Sequence, residues 1–176
     1  MKRLFFLTSV LAILSLSCNK SHNTGSAYYI KATLDGVSKN FSGNVSATSV
    51  HEAGGNAVSV NGLFSSANGE GFNLSIVSHA ANVYITPGIY ADTMSLYTIA
   101  LTYVPYATAT SFSSGNLTSD SAAHHGITIV NHLNVTISEM TNSDITGSFS
   151  GDIFLGGDAS ADKKMVTSGT FYAKFQ

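Results

Sequence analysis

Tyr28-Tyr29-Ile30-Lys31-Ala32-Thr33-Leu34-Asp35-Gly36-Val37-Ser38-Lys39-Asn40-Phe41 is the stretch whose reading decides the fold class. Tyr28, Ile30, Ala32 and Leu34 recur every second residue, and successive side chains of a strand point to opposite faces, so these four share one side. Asp35-Gly36 follows at once. A two-residue Asp-Gly loop favours a type I′ turn, whose twist matches that of the flanking strands. Pairing across it sets Leu34 opposite Val37, Ala32 opposite Lys39 and Ile30 opposite Phe41. One face of the hairpin is then apolar except for Lys39, whose aliphatic stem lets its amine reach water from an edge.

The same period continues downstream. Val45–Val50 and Ala57–Phe64 read as strands, the second alternating through Val58, Val60 and Phe64. The turn Asn68-Gly69-Glu70-Gly71 leads into Phe72, Leu74 and Ile76 on one face. Val83–Ile85 reads as a short strand, Pro87-Gly88 as a turn, and Ile89-Tyr90 as the start of the next segment. Leu96–Val104 places Tyr97, Ile99, Leu101 and Tyr103 together, and Pro105 ends it by removing a ladder donor. Residues 105–126 are the least regular, with one strand near Thr110–Leu117 followed by a long loop. Loops of that length in compact domains are more often functional or mobile than average.

Ile127–Glu139 alternates through Ile127, Ile129, Asn131, Leu133, Val135 and Ile137 and reads as one strand. Ile145–Leu155 alternates likewise, with Gly147 and Gly151 inside it marking a bend or the close approach of a neighbour. Gly156–Lys164 is a polar loop, and Met165–Phe175 closes the chain with Phe171, Ala173 and Phe175 on one face. No segment combines ten residues of helical periodicity with caps. The expectation is an all-β, antiparallel fold of about 8–10 strands, either a β-sandwich or a flattened barrel.

Ahead of this domain stands Met1–Cys18, MKRLFFLTSVLAILSLSC. Lys2 and Arg3 precede an apolar run, Leu4–Leu16, shorter than the roughly 17–25 residues a membrane-spanning helix needs. The charged, apolar, small-residue layout fits a cleaved signal peptide. Ser15-Leu16-Ser17-Cys18 resembles a lipobox, in which the cysteine becomes the acylated first residue of the mature chain. It departs from the usual pattern in having Ser15 where a leucine commonly stands. The organisation read from the sequence is therefore a lipoprotein signal peptide at 1–17, an acylated tether at 18–27 and an all-β domain at 28–176. Asn19 to Ala27 is small and polar, with a root-mean-square reach of about 16 Å. More than one acyl chain is needed to hold a protein stably on a bilayer, and a mature lipoprotein carries several. The tether lacks the acidic residues that follow the cysteine in surface-sent Bacteroidota lipoproteins. The expected location is thus the outer membrane, facing the periplasm, with cell-surface exposure as the alternative.

Charge narrows the partners. Once the signal is removed, six lysines face ten acids, a net charge of −4, and no arginine remains. Nucleic acid requires clustered cations to displace counterions from phosphates, so it is not an expected partner. Polar surface comes mainly from the chain's 26 serines and 17 threonines, which suit extended backbone. Cys18 is the only cysteine, so no disulfide is available, and a domain of this length needs none.

The chain resembles a group of small uncharacterised Bacteroidota lipoproteins. Ile30-Lys31-Ala32-Thr33-Leu34-Asp35-Gly36 with Phe41, and Pro87-Gly88-Ile89-Tyr90, carry the resemblance in the first half. Val135-Thr136-Ile137, the stretch from Ile145 to Gly151, and Ser168-Gly169-Thr170-Phe171 carry it in the second. It implies a β architecture and a lipid anchor, and brings no catalytic residues.

Candidate chemistry is sparse. Neighbouring His124 and His125 would point to opposite faces of a strand, and zinc requires three or four convergent ligands, so no metal site is expected. Asp120, Ser121 and His124 contain the residue types of a nucleophile triad, without a Gly-x-Ser-x-Gly elbow. Glu139, Asp144, Asp152, Asp158 and Asp162 cluster late, mostly in turns, and Asp158 with Asp162 resembles a calcium loop lacking its bidentate glutamate. No catalytic residue and no cofactor is therefore assigned. Asp92-Thr93-Met94 and Asp120-Ser121-Ala122 resemble the short Bacteroidota O-glycosylation pattern, making Thr93 and Ser121 candidate acceptors. The eight tyrosines supply either core or a ligand cleft, since a ring with a hydroxyl suits sugars and apolar molecules. The leading expectation is a non-catalytic interaction or envelope-structural module, attached to the membrane through Cys18, with an envelope protein or glycan as partner. The alternative is a small-ligand carrier for a sugar or apolar molecule, with a tyrosine-lined cleft.

Overall fold

The computed structural model describes residues 28–52, 55–63, 69–106 and 110–176. Signal, Cys18 and tether lie outside them, as do Phe64 and Asn68. The domain is all-β with one short helix. Its strands are β1 (Tyr29–Leu34), β2 (Val37–Phe41), β3 (Gly43–Glu52), β4 (Gly55–Leu63), β5 (Gly71–Ser78), β6 (Gly88–Ala91), β7 (Tyr97–Val104) and β8 (Phe112–Gly115). Helix α1 (Asn116–His125) follows, then β9 (Asn134–Met140), β10 (Asp144–Leu155) and β11 (Lys163–Phe175). No helix of the described residues is long and apolar enough to cross a membrane.

The opening hairpin has the expected register: Leu34 faces Val37, Ala32 faces Lys39 and Ile30 faces Phe41. Asp35 and Gly36 both take positive φ, 47° and 82°, as a type I′ turn demands. From it the strand pairings close on themselves. β1 pairs β11 over Val166–Tyr172, while β10 pairs β11 along nearly its whole length. β3 joins beyond the end of β1, at Lys174 and Phe175, in parallel. Antiparallel neighbours then run β3-β4-β5-β7-β8, and β8 returns to β10 through Ser113 and Phe112. β9 and β6 extend from β10 along the stretch that β8 leaves free. The result is a flattened barrel. A sheet ordered β6-β9-β10-β11-β1-β2 lies over one ordered β3-β4-β5-β7-β8, joined at the β11–β3 and β10–β8 corners.

Between the sheets the alternating apolar positions meet. Ile30, Phe41, Ile145, Ile153 and Phe171 come from one side; Val60, Ile76, Ile99 and Leu101 come from the other, and all are buried. Phe72 spans the gap, its ring 4.9 Å from Phe41 and 5.8 Å from Phe149. Two interior glycines make room for rings. Gly147 pairs with Phe171, and a Cβ there would stand 2.5 Å from the ring; Gly169 pairs with Phe149, at 2.6 Å. Gly151 has a different role. Its φ is 151°, and it pairs with Val166 at the edge of the β10–β11 register slip, which also takes in Ser168 with φ 51°.

Three sequence expectations change. Residues 116–125 form a helix, where the end of a strand and then a loop were expected. Among its described side chains Thr118 and Ala122 are buried, and most of the segment is polar, so no apolar stripe is visible in the sequence. Its start is uncapped by any side chain, and left-handed Gly126 ends it with hydrogen bonds to the carbonyls of Ala122 and Ala123. The single strand expected from Ile127 to Glu139 begins only at Asn134. Before that point Ile129 packs with Ala122, Phe154 and Ala159, and Leu133 N–H goes to a carboxylate instead of a ladder. Val83–Ile85 belongs to no strand; the Asn56 amide ties down this segment by donating to the carbonyls of Ala81 and Val83.

Candidate functional site

Asp92 ends the β6 segment, and its side chain is wholly buried. One oxygen accepts from His132 Nδ1 at 2.9 Å. The other accepts from Leu133 N–H at 3.2 Å and from the Ser119 hydroxyl at 3.4 Å. Asp92 N–H in turn donates to Leu133 carbonyl. This carboxylate thereby ties β6, α1 and the 130–133 segment into one unit. Because His132 Nδ1 faces Asp92, the ring's Nε2 edge is turned away from it, and the side chain is 37% exposed.

Asp152, equally buried on β10, anchors the same segment from below. It accepts from Asn131 Nδ2 at 3.1 Å and from Lys163 Nζ at 2.8 Å, while its N–H donates to Asn131 carbonyl. His132 is therefore held between two buried carboxylate anchors. Beside it runs an open groove of about 380 Å³. Val130, Asn131, His132 and Asn134 form one wall; Ser150, Met165 and Thr167 of the β10–β11 bulge form the other. Val130 is 79% exposed and Met165 45%, so both present apolar surface to the groove.

Polar groups elsewhere are committed to holding the barrel. Buried Glu70 accepts from Tyr103 hydroxyl at 2.7 Å and from Lys39 Nζ at 2.8 Å, so Lys39 crosses from the edge hairpin to the opposite sheet. Burial, then the hydrogen bond to Glu70, pushes the Tyr103 phenol well above its ordinary range. The Asn116 amide bridges Ile99 N–H and the carbonyls of Asp92 and Tyr97. Tyr90 hydroxyl closes a loop on Thr86, donating to its carbonyl and accepting from its N–H.

The tyrosines occupy separate places. Tyr90, Tyr97 and Tyr103 belong to the core or pack on it. Tyr28 and Tyr29 gather around Tyr172, at 4.9 and 6.5 Å, and Tyr28 also packs against the core. Tyr84 and Tyr106 are exposed. Beside Tyr172 lies a small hollow of about 90 Å³ bounded by Glu139 and Asp144. The Ser143 and Tyr28 hydroxyls hold Asp144 below the usual carboxylate range, and Tyr28 is raised in return.

Asp120, Ser121 and His124 lie on α1, but Ser121 is engaged elsewhere. Its hydroxyl donates to Asp158 at 3.3 Å and accepts from Ala159 N–H. Asp158 also accepts the N–H and hydroxyl of Ser160, which lower its pKa, so it caps its own turn. Thr93 is exposed in the turn after Asp92, and Ser121 is half-buried on the helix. Among the described residues no three of His, Cys, Asp and Glu converge as metal ligands. The pair that sequence reading missed, Asp92 and His132, is separated by 40 residues, Asp92 just after β6 and His132 just before β9, and meets only because those two strands pair.

Comparison of the chain with protein-family models, with characterised proteins and with solved structures returned no significant match.

Proposed function

We propose that the chain is a lipid-anchored, extracytoplasmic β domain acting as a non-catalytic interaction or envelope-structural module. Acyl chains on Cys18 hold it at the outer membrane, facing the periplasm. Support for the anchor comes from the signal-like run ahead of the only cysteine and from the nine small or polar residues between that cysteine and the domain. One observation carries the interaction reading. Buried carboxylates brace a loop that turns Val130 and His132 outward, beside an open groove. Rigid support beneath exposed apolar and polar side chains is what a recognition surface requires, since ordering costs are met before the partner arrives.

Crosslinking in the native envelope, followed by identification of adducts, tests the reading. A protein or glycan recovered with the wild-type chain above a non-crosslinked control is the expected outcome. Recovery of none would count against an interaction module.

A further inference from the structure

We infer that the groove between the 130–134 segment and the β10–β11 bulge binds an uncharged glycan chain. This deepens the interaction reading and rests on it, by assigning the partner's chemistry.

The groove's lining has polar side chains but no charged Asp, Glu, Lys or Arg. Asp152 and Lys163 nearby satisfy one another. An ionic ligand would have no counter-charge there, whereas a neutral one carries no charge to desolvate. The polar groups are fixed in advance. Nδ1 of His132 is bound to Asp92, leaving Nε2 to exchange a hydrogen bond with a ligand hydroxyl. Asn131 and Asn134 each use the amide nitrogen internally, on Asp152 and on His132 carbonyl, so their amide orientations are set. Their oxygens are acceptors, and the Ser150 and Thr167 hydroxyls add groups of either sense. Beside these stand Val130 and Met165, apolar surfaces of the kind that pack on the C–H face of a sugar ring. Alternating hydroxyl and C–H faces are the chemistry of a saccharide, and the volume falls within the roughly 300–1,000 Å³ of small-molecule sites.

Backbone geometry supports the same place. Ser168, inside the register slip, is one of three described non-glycine residues with positive φ, and Gly151, paired with Val166 at the slip's edge, cannot carry a Cβ, which would lie 2.8 Å from Leu133 Cα. Bulges of this kind re-aim side chains and are over-represented beside functional sites. This one interrupts the outer face where Thr167 and Ser150 meet the His132 loop.

The test uses the mature chain in a lipid nanodisc. It is titrated by amide NMR with cello-, manno- and N-acetylchito-oligosaccharides of several units, and with polygalacturonate as the charged counterpart. Binding of at least one neutral oligosaccharide is expected, with shifts centred on 130–134, 150–151 and 165–167. His132→Ala and Val130→Ser should each weaken that binding by about tenfold, equivalent to about 1.4 kcal/mol. Val130 is exposed, so its variant folds whatever becomes of the His132 variant. No binding of any neutral oligosaccharide, shifts centred elsewhere, unchanged affinity in Val130→Ser, or tighter binding of polygalacturonate would each overturn the inference. A protein adduct in the envelope crosslinking, with no saccharide binding here, would remove this site while leaving the interaction module in place.

Discussion

At the scale of single residues, the domain depends on a few buried polar groups whose partners lie far away in sequence. Asp92 gathers three donors, and removing it strands Leu133 N–H and leaves His132 without its acceptor. Asp92→Ala should therefore lower the unfolding free energy by roughly 3 kcal/mol, measured by urea denaturation. A loss under about 1 kcal/mol would mean that water replaces the carboxylate and the anchor is dispensable. Tyr103 sets an alkaline limit. Its folded pKa lies above the ordinary value of 10, so stability is intact below that value and falls as pH rises from it, when only the unfolded phenol ionises. Tyr103→Phe should flatten this alkaline decline and cost roughly 1.5–3 kcal/mol at neutral pH, because a hydrogen bond to a charged group is lost. An unchanged pH profile of the melting temperature would show that Tyr103 does not control it. Asp158 acts in the opposite direction. Held below the usual range by Ser160, it should release its turn as pH falls through that lowered value, seen as faster amide exchange at Ser160. Exchange at Ser160 independent of acid would refute that cap.

Elements show what period-two reading captures and what it cannot. Residues 29–41 were legible down to register, because a two-residue turn leaves one pairing and a half-apolar face selects it. Gly147 and Gly151 were legible together as a bend or a close approach, but that Gly147 lies under a ring of β11 and Gly151 sits at the register slip only the fold reveals. The helix escaped because its ten residues, mostly Asn, Thr, Ser, Asp and His with a few apolar ones, carry no apolar stripe to read. Residues 127–133 misled because alternation marks an extended chain with one buried side, whether or not a neighbour hydrogen-bonds to it. Glycines separate strain from crowding. Gly36 has positive φ and open space around it, so Gly36→Ala should cost about 1–2 kcal/mol from backbone alone. Gly169→Ala meets the Phe149 backbone and ring and should cost more, about 3 kcal/mol. Equal thermal shifts for the two would contradict the assignment of rings packed against bare backbone.

Across the whole molecule, barrel closure was beyond the reach of the sequence. It rests on a two-residue parallel contact between β11 and β3 and a two-residue contact between β8 and β10, too short to leave a pattern. The candidate groove was equally hidden, since Asp92, Asp152 and the bulge reach it from β6, β10 and β11, whose neighbouring places in the sheet leave no mark in the sequence. The proposed compartment and anchor rest on the sequence of Met1–Cys18 alone, and the proposed interaction role depends on them. If the chain works in the envelope as proposed, acyl chains on the Cys18 sulfur would keep it there. Fractionation of cells carrying the wild-type chain or Cys18→Ala tests this most directly. Wild-type protein should sediment with the outer membrane, and Cys18→Ala should move to the soluble periplasmic fraction with an unchanged melting temperature. Cys18→Ala protein that still sediments with the membrane would contradict the lipid anchor.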